Sequence, residues 1–191
     1  MIAKNTVEQQ IGLKRTAFMS KKKTIITSSN LLLIEANKEH ATFINQLVNC
    51  PTWIQHIGDR NVHSDKDAQV FIEDRLISSY VKFDFGLWVV IHRKKNEPIG
   101  LCGFVKRDYL EHPDIGFALL PKFAGKGFGK EAAIATLQYG IEQLKLTTIL
   151  GITSPTNIIS QRLLLSLGLH NMGIIVPPEA NEELTLFGLD I

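Results

Sequence analysis

The chain of 191 residues has few cysteines, and neither Cys50 nor Cys102 lies in a C-x-x-C pair. This spacing argues against a redox or metal site and is typical of buried thiols in a reducing compartment. The six histidines show no H-E-x-x-H pattern or other short paired spacing. The sequence therefore predicts no metal cofactor.

Long apolar runs are also missing. None approaches the roughly 20 residues of a membrane helix, and residues 1–28 lack the apolar segment of about 7 to 15 residues found in secretory signals. We therefore expect a cytoplasmic protein with no membrane partner. No internal repeat interrupts the chain, and its 45% apolar content predicts one sizeable core.

The net charge of +2 is distributed unevenly. Residues 1–28 contain six basic residues and one acidic residue, a balance of +5, so the remainder carries −3. A mildly acidic body does not favour nucleic-acid binding. We expect residues 1–28 to form a flexible basic extension and residues 29–191 to form the one domain, with no nucleic acid as partner.

Three alternating glycines, Gly125, Gly127 and Gly129, separate an apolar run that ends at Pro121 from a helical pattern that begins near Glu131. Glycine permits positive φ and a close approach of the backbone to a ligand, and a helix N-terminus adds free N–H groups. Lysines flank the glycines at three positions, Lys122, Lys126 and Lys130. The stretch predicts a cradle for a phosphate-bearing ligand.

Two common phosphate motifs do not fit this stretch. A nucleotide triphosphatase loop requires Ser or Thr after its lysine, where this chain has Glu131. A dinucleotide fingerprint starting at Gly125 requires glycine at the position of Lys130, which makes dinucleotide binding a distant alternative. A flexible helix entry without a ligand also remains open on this segment alone.

The rest of the sequence predicts strands and helices in a mixed order. Strands are expected at about residues 31–35, 86–92, 99–106, 114–120, 148–153, 169–176 and 184–190. Helices are expected at about 37–48, 64–79, 131–144 and 157–167, with an irregular link over 50–63. Alternation in the strand 114–120 places Asp114, Gly116 and Ala118 on one face, so a face of little bulk also carries an acid.

This order, together with several sequence strings, resembles the GNAT superfamily of acyl-coenzyme A-dependent N-acetyltransferases. The strings are Asp114-Ile-Gly-Phe-Ala-Leu-Leu-Pro121, Gly125-Lys-Gly-Phe-Gly-Lys-Glu-Ala132, and Asn157-x-x-Ser160 followed by Leu167-Gly168-Leu169. With the opening Asn30-Leu-Leu-Leu-Ile-Glu35 they are similar to the branch that includes the ribosomal-protein-alanine N-acetyltransferases. The resemblance covers about residues 29–191. It implies a mixed α/β fold with a mostly antiparallel, splayed sheet of about six or seven strands and about four helices.

The resemblance implies transfer of an acetyl group from acetyl-coenzyme A to a primary amine by direct attack in a ternary complex, without a metal. The pantetheine arm maps to the strand residues Phe117, Ala118 and Leu119, and the pyrophosphate maps to Gly125, Lys126, Gly127, Phe128, Gly129 and Lys130. Asn157 corresponds to an asparagine that contacts the coenzyme near its thiol. The acceptor enters from the opposite side, which makes Trp53, Asp59 and Arg60 its candidate contacts.

The chemistry needs a base for the amine, donors for the oxyanion and an acid for the thiolate. Asp114 is the candidate base or anchor for a water, with turn capping as its alternative role. Ser160 is the candidate acid, with a plain helix-surface serine as the alternative. Many family members have a tyrosine where this chain has Leu164, and an Arg or Gln where it has Ala124.

These two departures leave a different class of function open, a non-catalytic acyl-coenzyme A-binding sensor or assembly module. The acceptor is open as well, because fold does not set substrate. A protein N-terminus follows from the branch, while an amino sugar, polyamine or amino acid remains an alternative. Pairing of two copies through the final strands into a homodimer is also an expectation left open.

Overall fold

A computed structural model describes residues 23–178 and 182–191. Most of the expected basic extension therefore lies outside the described residues. The described part contains eight strands: β1 (Thr24–Thr27), β2 (Leu31–Ile34), β3 (Leu87–His92), β4 (Glu97–Val105), β5 (Asp114–Leu119), β6 (Thr148–Thr153), β7 (His170–Ile175) and β8 (Leu184–Asp190). They form one sheet in the order β1-β2-β3-β4-β5-β6-β8-β7.

Five helices accompany the sheet in the described residues. They are α1 (Ala41–Val48), α2 (Pro51–Ile57), α3, α4 (Phe128–Glu142) and α5 (Ile158–Ser166). The third is continuous but has three segments, Asp65–Phe71, a π-helical turn over Ile72–Ile77, and Ser78–Phe83. No helix in this part of the chain is long and apolar enough to cross a membrane.

Capping residues begin these helices where the sequence predicts them. Asn37 accepts a hydrogen bond from the Glu39 N–H at 3.0 Å and starts a 3-10 turn that leads into α1. Ser64 accepts from the Asp67 N–H at 3.1 Å and starts α3. Gly168 follows α5 with a φ of 93°, the left-handed conformation expected of a residue that ends a helix.

The structure corrects the sequence analysis at two elements. Residues 24–27 fall in the expected extension, yet they form the edge strand β1, which pairs antiparallel with β2 and buries Ile26. The link over 50–63, expected to be irregular, contains α2. Its start has a recognisable signal, because Pro51 occupies the first turn, where its missing N–H has no intrahelical partner to lose.

The main helix α4 packs on one face of the sheet. The Tyr139 ring lies 5.4 Å from Trp88, centroid to centroid, and the Thr136 hydroxyl lies 3.3 Å from the Cys102 sulfur. Cys102 is opposite Phe117 in the β4–β5 register, so α4 covers the face that Phe117 shares. The face of Asp114, Gly116 and Ala118 is therefore turned away from α4, as the alternation predicts.

Candidate active site

The strands β5 and β6 run parallel and part from each other after a short contact. One register pair, Asp114 with Leu150, joins them within the described residues, and the Leu150 N–H donates to the Pro113 carbonyl at 2.9 Å. The other strand pairs of the sheet are antiparallel and extend over several residues. The sheet thus contains a gap that is closed at Asp114 and opens toward Leu119.

Main-chain groups of β5 line this gap. The Leu120 N–H donates to the Ile99 carbonyl of the β4 side at 2.8 Å, whereas the Pro113 carbonyl faces β6. Because successive residues of a strand direct their N–H and C=O groups to alternate sides, the main-chain groups of Phe117 and Leu119 face the gap. Ala118, in contrast, directs its groups to β4. An extended ligand in the gap would find strand-like hydrogen-bonding partners.

The glycine stretch lies at the open end of the gap, directly after β5. Gly125 and Gly127 have φ values of 71° and 83°, which side chains on L residues rarely adopt. A Cβ at either position would meet no atom within 4 Å, so the space above them is open. Gly127 immediately precedes α4, whose free N–H groups begin here. The stretch thus has the positive φ angles and the open space that the predicted cradle requires.

The lysines are arranged differently from the expectation that all three surround the glycines. The ammonium groups of Lys122 and Lys126 lie 4.9 and 5.7 Å from the Phe123 ring centroid. Lys95, which the sequence did not single out, lies 5.7 Å from the same ring. Lys130 is exposed. The open end therefore has its cations grouped around a buried aromatic ring.

The Glu131 side chain links the start of α4 to the turn between β1 and β2 through hydrogen bonds. Its carboxylate accepts hydrogen bonds from the Ser28 hydroxyl and the Asn30 N–H, both at 2.7 Å, and from the Asn30 amide at 3.0 Å. Partial burial opposes the ionised form, but these donors outweigh it and lower the pKa of the Glu131 carboxyl. The end of the glycine stretch is thus held by a segment about 100 residues earlier in the chain.

At the closed end, Asp114 is 2% exposed and its Oδ1 accepts a hydrogen bond from the Arg107 Nε at 2.8 Å. Burial raises the pKa of the Asp114 carboxyl, and the nearby guanidinium only partly offsets this effect. Burial would lower the pKa of Arg107, but the charge of Asp114 raises it. The fold thus makes Arg107 the partner of the buried acid.

On the β6 side of the gap, Asn157 precedes α5 and its Oδ1 accepts from the Ser160 N–H at 3.1 Å. The side-chain oxygen is therefore used as a helix cap, and the amide nitrogen is the group that can donate to a ligand. Leu164, at the position of the family's tyrosine, is 1% exposed. It packs on Gly151 of β6 so closely that a Cβ there would lie 2.8 Å from its side chain.

The three residues expected to contact the acceptor lie in different environments. Trp53 is 4% exposed, and its indole nitrogen is buried without a hydrogen-bond partner in the described residues. Asp59 is exposed and accepts from the Asn61 N–H at 2.8 Å, which holds a local turn. Arg60 donates to the Ile57 carbonyl at 3.0 Å. Arg60 is an exposed residue, and partial desolvation of its guanidinium, followed by the charges of Arg107 and Arg75, lowers its pKa.

The contact between Arg107 and Asp114 joins the turn after β4 to the start of β5. The sequence analysis missed this pair, because no motif in the sequence links its two members. Asp59, in contrast, has a local structural role in the turn that follows α2.

A polar hollow of about 490 Å³ lies elsewhere, over α1, and is lined by Thr42, Asn45, Gln46, Asn49 and His63. None of these residues belongs to the gap or contacts Asp114, so the hollow is not the candidate active site. Within residues 23–178 and 182–191, no group of three or more His, Cys, Asp or Glu could hold a metal ion.

Comparisons with known proteins agree with this geometry. A family model described as an acetyltransferase (GNAT) domain matches residues 30–170. Over 160 residues the chain is 28% identical to YnaD of Bacillus subtilis strain 168, an uncharacterized N-acetyltransferase. That alignment covers 82% of this chain and 90% of YnaD.

Solved structures share the fold at low sequence identity. A GNAT-family acetyltransferase from Bacillus anthracis has a TM-score of 0.73 at 23% identity, covering 86% of this chain and 97% of the other. RimL, a ribosomal L7/L12 α-N-protein acetyltransferase, has a TM-score of 0.75 at 15% identity, covering 90% and 96%. The predicted mixed α/β fold with a mostly antiparallel, splayed sheet is confirmed. The described residues contain eight strands where six or seven were predicted, and five helices where four were predicted.

Proposed function

Because the chain belongs to the GNAT acetyltransferase family and is an acetyl-coenzyme A-dependent N-acetyltransferase, we propose that it transfers the acetyl group directly to a primary amine in a ternary complex. The gap between β5 and β6 carries this proposal. It combines a glycine cradle at its open end with a buried carboxylate at its closed end. A donor held along the gap would present its reactive end beside Asp114.

The donor is proposed to bind mainly through the backbone. The main-chain groups of Phe117 and Leu119 would pair with the amides of the pantetheine arm, with Ala118 between them. The pyrophosphate would lie on the loop and first helical turn formed by Gly125, Lys126, Gly127, Phe128, Gly129 and Lys130, where free N–H groups favour anions. Asn157 would donate its amide to the arm from the β6 side.

In the proposed mechanism, an ammonium acceptor first gives a proton to Asp114, directly or through a water. The neutral amine then attacks the thioester carbonyl and the carbon–sulfur bond breaks. The nitrogen loses its second proton, and Ser160 or a water relays a proton to the departing thiolate, so that the amide and the free thiol result. Burial supports the role of Asp114, because a raised pKa makes its carboxylate a stronger base than an exposed aspartate. An α-amine, with a pKa of about 7.7 to 8, would need only a modest base.

The proposed acceptor is a protein N-terminus, which the likeness in fold to RimL supports. A small-molecule amine is the other candidate. Trp53, Asp59 and Arg60 are proposed to contact the acceptor, and the buried indole nitrogen of Trp53, which has no partner in the described residues, supports this assignment best.

The proposal is tested by incubating the protein with acetyl-coenzyme A and peptides with free N-termini, amino acids, amino sugars or spermidine, and measuring thiol release and acetylated product. We expect equal amounts of both products from at least one amine class. Peptides with blocked N-termini serve as the control. Tight binding of acetyl-coenzyme A without turnover of any amine would instead favour a sensor.

The role of Ser160 has a separate test. Ser160→Ala is expected to lower kcat about tenfold without changing the dissociation constant of acetyl-coenzyme A, because the acid acts only on the departing thiolate. Ser166→Ala, which removes a hydroxyl from the far end of the same helix, is the control. Full activity of Ser160→Ala would assign the proton to water.

A further inference from the structure

The helix α2 carries two buried side-chain nitrogens without a hydrogen-bond partner. They are the indole Nε1 of Trp53 and the imidazole Nδ1 of His56, and no other buried side-chain nitrogen or oxygen in residues 23–178 and 182–191 lacks a partner. Trp53 is 4% exposed, and His56 is half-buried. Since a buried polar group without a partner is unfavourable, the presence of both on one short helix indicates that a further molecule satisfies them.

Both side chains lie on the same face of α2. Trp53 and His56 are three residues apart, a spacing at which helical side chains are neighbours with about 5 to 6 Å between their Cβ atoms. Thr52, Ile54 and Gln55 of the same helix are exposed. The helix therefore has one inward face, and one short segment of a ligand can reach both nitrogens.

This inward face lies on the same side of the sheet as the Asp114 side chain. The helix α4 packs along β1, β2, β4 and β5. Since α4 occupies that face, the buried apolar side chains of α1, α2 and α3 pack on the opposite one. Asp114 is also directed to the face turned away from α4. The two nitrogens therefore lie on the acceptor side, apart from the glycine loop that is proposed to hold the donor.

The two nitrogens require different partners. An indole Nε1 can only donate, so Trp53 requires an oxygen. A neutral imidazole with its proton on Nε2 offers Nδ1 as an acceptor, so His56 suits an N–H group. The pair is thus complementary to a ligand segment that presents one carbonyl oxygen and one N–H on the same side.

An extended peptide presents this combination of groups. The N–H and the C=O of one residue point to the same side of an extended chain, as in the hydrogen-bonded pairs of an antiparallel sheet. A polyamine does not present it, because it contains no oxygen and its ammonium groups only donate. The Trp53 indole would stay unpaired in a polyamine complex, which disfavours such an acceptor.

We propose that Trp53 and His56 bind the main chain of the second residue of a peptide acceptor. Trp53 donates to the carbonyl oxygen of that residue, and His56 accepts a hydrogen bond from its N–H. The inference rests on the proposed transfer to an amine and narrows the acceptor to peptides with a free N-terminus. Because both contacts go to the main chain, different side chains are tolerated at the second residue of the peptide, and polyamines are rejected.

The test measures kcat/KM for three amines that share the α-amine of alanine. Alanyl-alaninamide offers both groups, alanine isopropylamide lacks the second carbonyl, and the ester alanyl-lactamide lacks the N–H. We expect alanyl-alaninamide to be preferred over each analogue at least tenfold, or about 1.4 kcal/mol. Spermidine is expected to be a poor acceptor. Equal turnover of the three amines would assign the buried nitrogens to bound water and overturn the inference.

Two variants separate the two contacts. Trp53→Phe is expected to reduce the preference over alanine isopropylamide to about threefold or less, and His56→Leu is expected to do the same to the preference over alanyl-lactamide. Each preference is measured within one variant, so a general loss of activity cancels. His170→Leu, which changes an exposed histidine of β7, is the control and should keep both preferences. Equal loss of both preferences in each variant would indicate lost packing and contradict the two contacts.

Nuclear magnetic resonance tests the same site without turnover. The chain has two tryptophans, Trp53 and Trp88, so the ¹⁵N-labelled protein gives two indole N–H signals, and Trp53→Phe identifies the signal of Trp53. Alanyl-alaninamide is titrated into the protein–coenzyme A complex. We expect the Trp53 signal to move downfield until it saturates, while the Trp88 signal stays in place. A Trp53 signal that does not respond to the peptide would overturn the inference.

The outcomes separate this inference from the proposed function. Turnover of spermidine at the rate of the dipeptide overturns the peptide site and leaves N-acetyl transfer intact. A saturating shift of the Trp53 signal without turnover of any amine supports the peptide site and contradicts the proposed transfer.

Discussion

The two ends of the gap between β5 and β6 are built in different ways. The open end consists of one continuous stretch, from Leu119 to Glu131, and offers mainly backbone groups to a ligand. The closed end combines side chains from the β4–β5 turn and from β5, Arg107 and Asp114. Backbone groups suit a donor whose chemistry is always the same. Side chains from different segments can be substituted, so they suit an acceptor that differs from one family member to the next.

The largest effect is expected when the acid of the closed end is neutralised. Asp114→Asn should lower kcat about 100-fold or more, because the acceptor amine loses its proton acceptor. Affinity for acetyl-coenzyme A should stay within about twofold, since the donor binds through the open end. Steady-state kinetics over a range of pH, together with calorimetric titration of the donor, measures both quantities.

The control for this experiment is Asp108→Asn in the exposed turn after β4. A kcat of Asp114→Asn that matches the unaltered protein across pH would remove Asp114 from the chemistry. A large loss of affinity for acetyl-coenzyme A would show that the two ends do not function separately. It would contradict the assignment of donor binding to the open end.

Removing the partner of Asp114 is expected to cost stability. Arg107→Gln leaves a buried carboxylate unpaired, and we expect a loss of about 2 to 3 kcal/mol, at the low end for buried pairs because the Arg107 side chain is 33% exposed. Without the guanidinium the pKa of Asp114 rises further. The stability loss should therefore have its full size above that pKa, where the carboxylate is ionised. It should decrease as the pH falls and the carboxyl takes up a proton.

Urea unfolding at neutral pH and at about pH 4.5 measures this difference. Lys106→Gln provides a comparison in the same turn, because Lys106 donates to the main-chain carbonyls of Leu110 and Glu111 and not to a carboxylate. Its stability loss should not decrease on acidification. An Arg107→Gln variant with the same loss at both pH values would contradict the assigned role of the pair.

At the open end the pKa shift has the opposite direction, although the expected stability loss again decreases on acidification. Glu131→Gln should cost about 1 kcal/mol, since it weakens charge-assisted hydrogen bonds from Ser28 and Asn30 that are partly exposed. The pKa of Glu131 is lowered in the folded protein, so its contribution is present at neutral pH and is lost as the pH falls through that pKa.

Glu142→Gln, at the other end of α4, is the matched control and should leave stability within about 0.5 kcal/mol. Thermal unfolding of both variants across acid pH checks the prediction. If Glu131→Gln loses stability equally at all pH values, its effect comes from packing and not from the ionised carboxylate.

The same contrast explains what could be predicted from the sequence. The strand β5, the glycine cradle and the start of α4 follow from neighbouring residues, because strand alternation, glycine φ and helix periodicity are local properties. The helices that begin at Asn37 and Ser64 were predicted near residues 37 and 64 for the same reason. Local chemistry therefore accounts for most of the donor end and for the order of elements.

Features that depend on distant segments could not be predicted in this way. The pairing of Arg107 with Asp114 arises only when the β4–β5 turn and β5 fold together. The edge strand β1 is short and follows a basic run, so its composition did not distinguish it from the extension. For α2 the signal existed in Pro51, but large polar and aromatic side chains around it favoured a loop.

The most direct test of the account is a calorimetric titration with acetyl-coenzyme A of the unaltered protein, Gly127→Glu and Gly127→Ala. A Cβ at residue 127 meets no protein atom within 4 Å, so the glutamate changes the cradle and not its packing, while alanine controls for the strain of a φ of 83°. The account predicts binding to the unaltered protein, at least 100-fold weaker binding to the glutamate variant, and a change within about tenfold for alanine. Absence of binding to the unaltered protein, or equal binding to the glutamate variant, would contradict the donor site at the glycine loop.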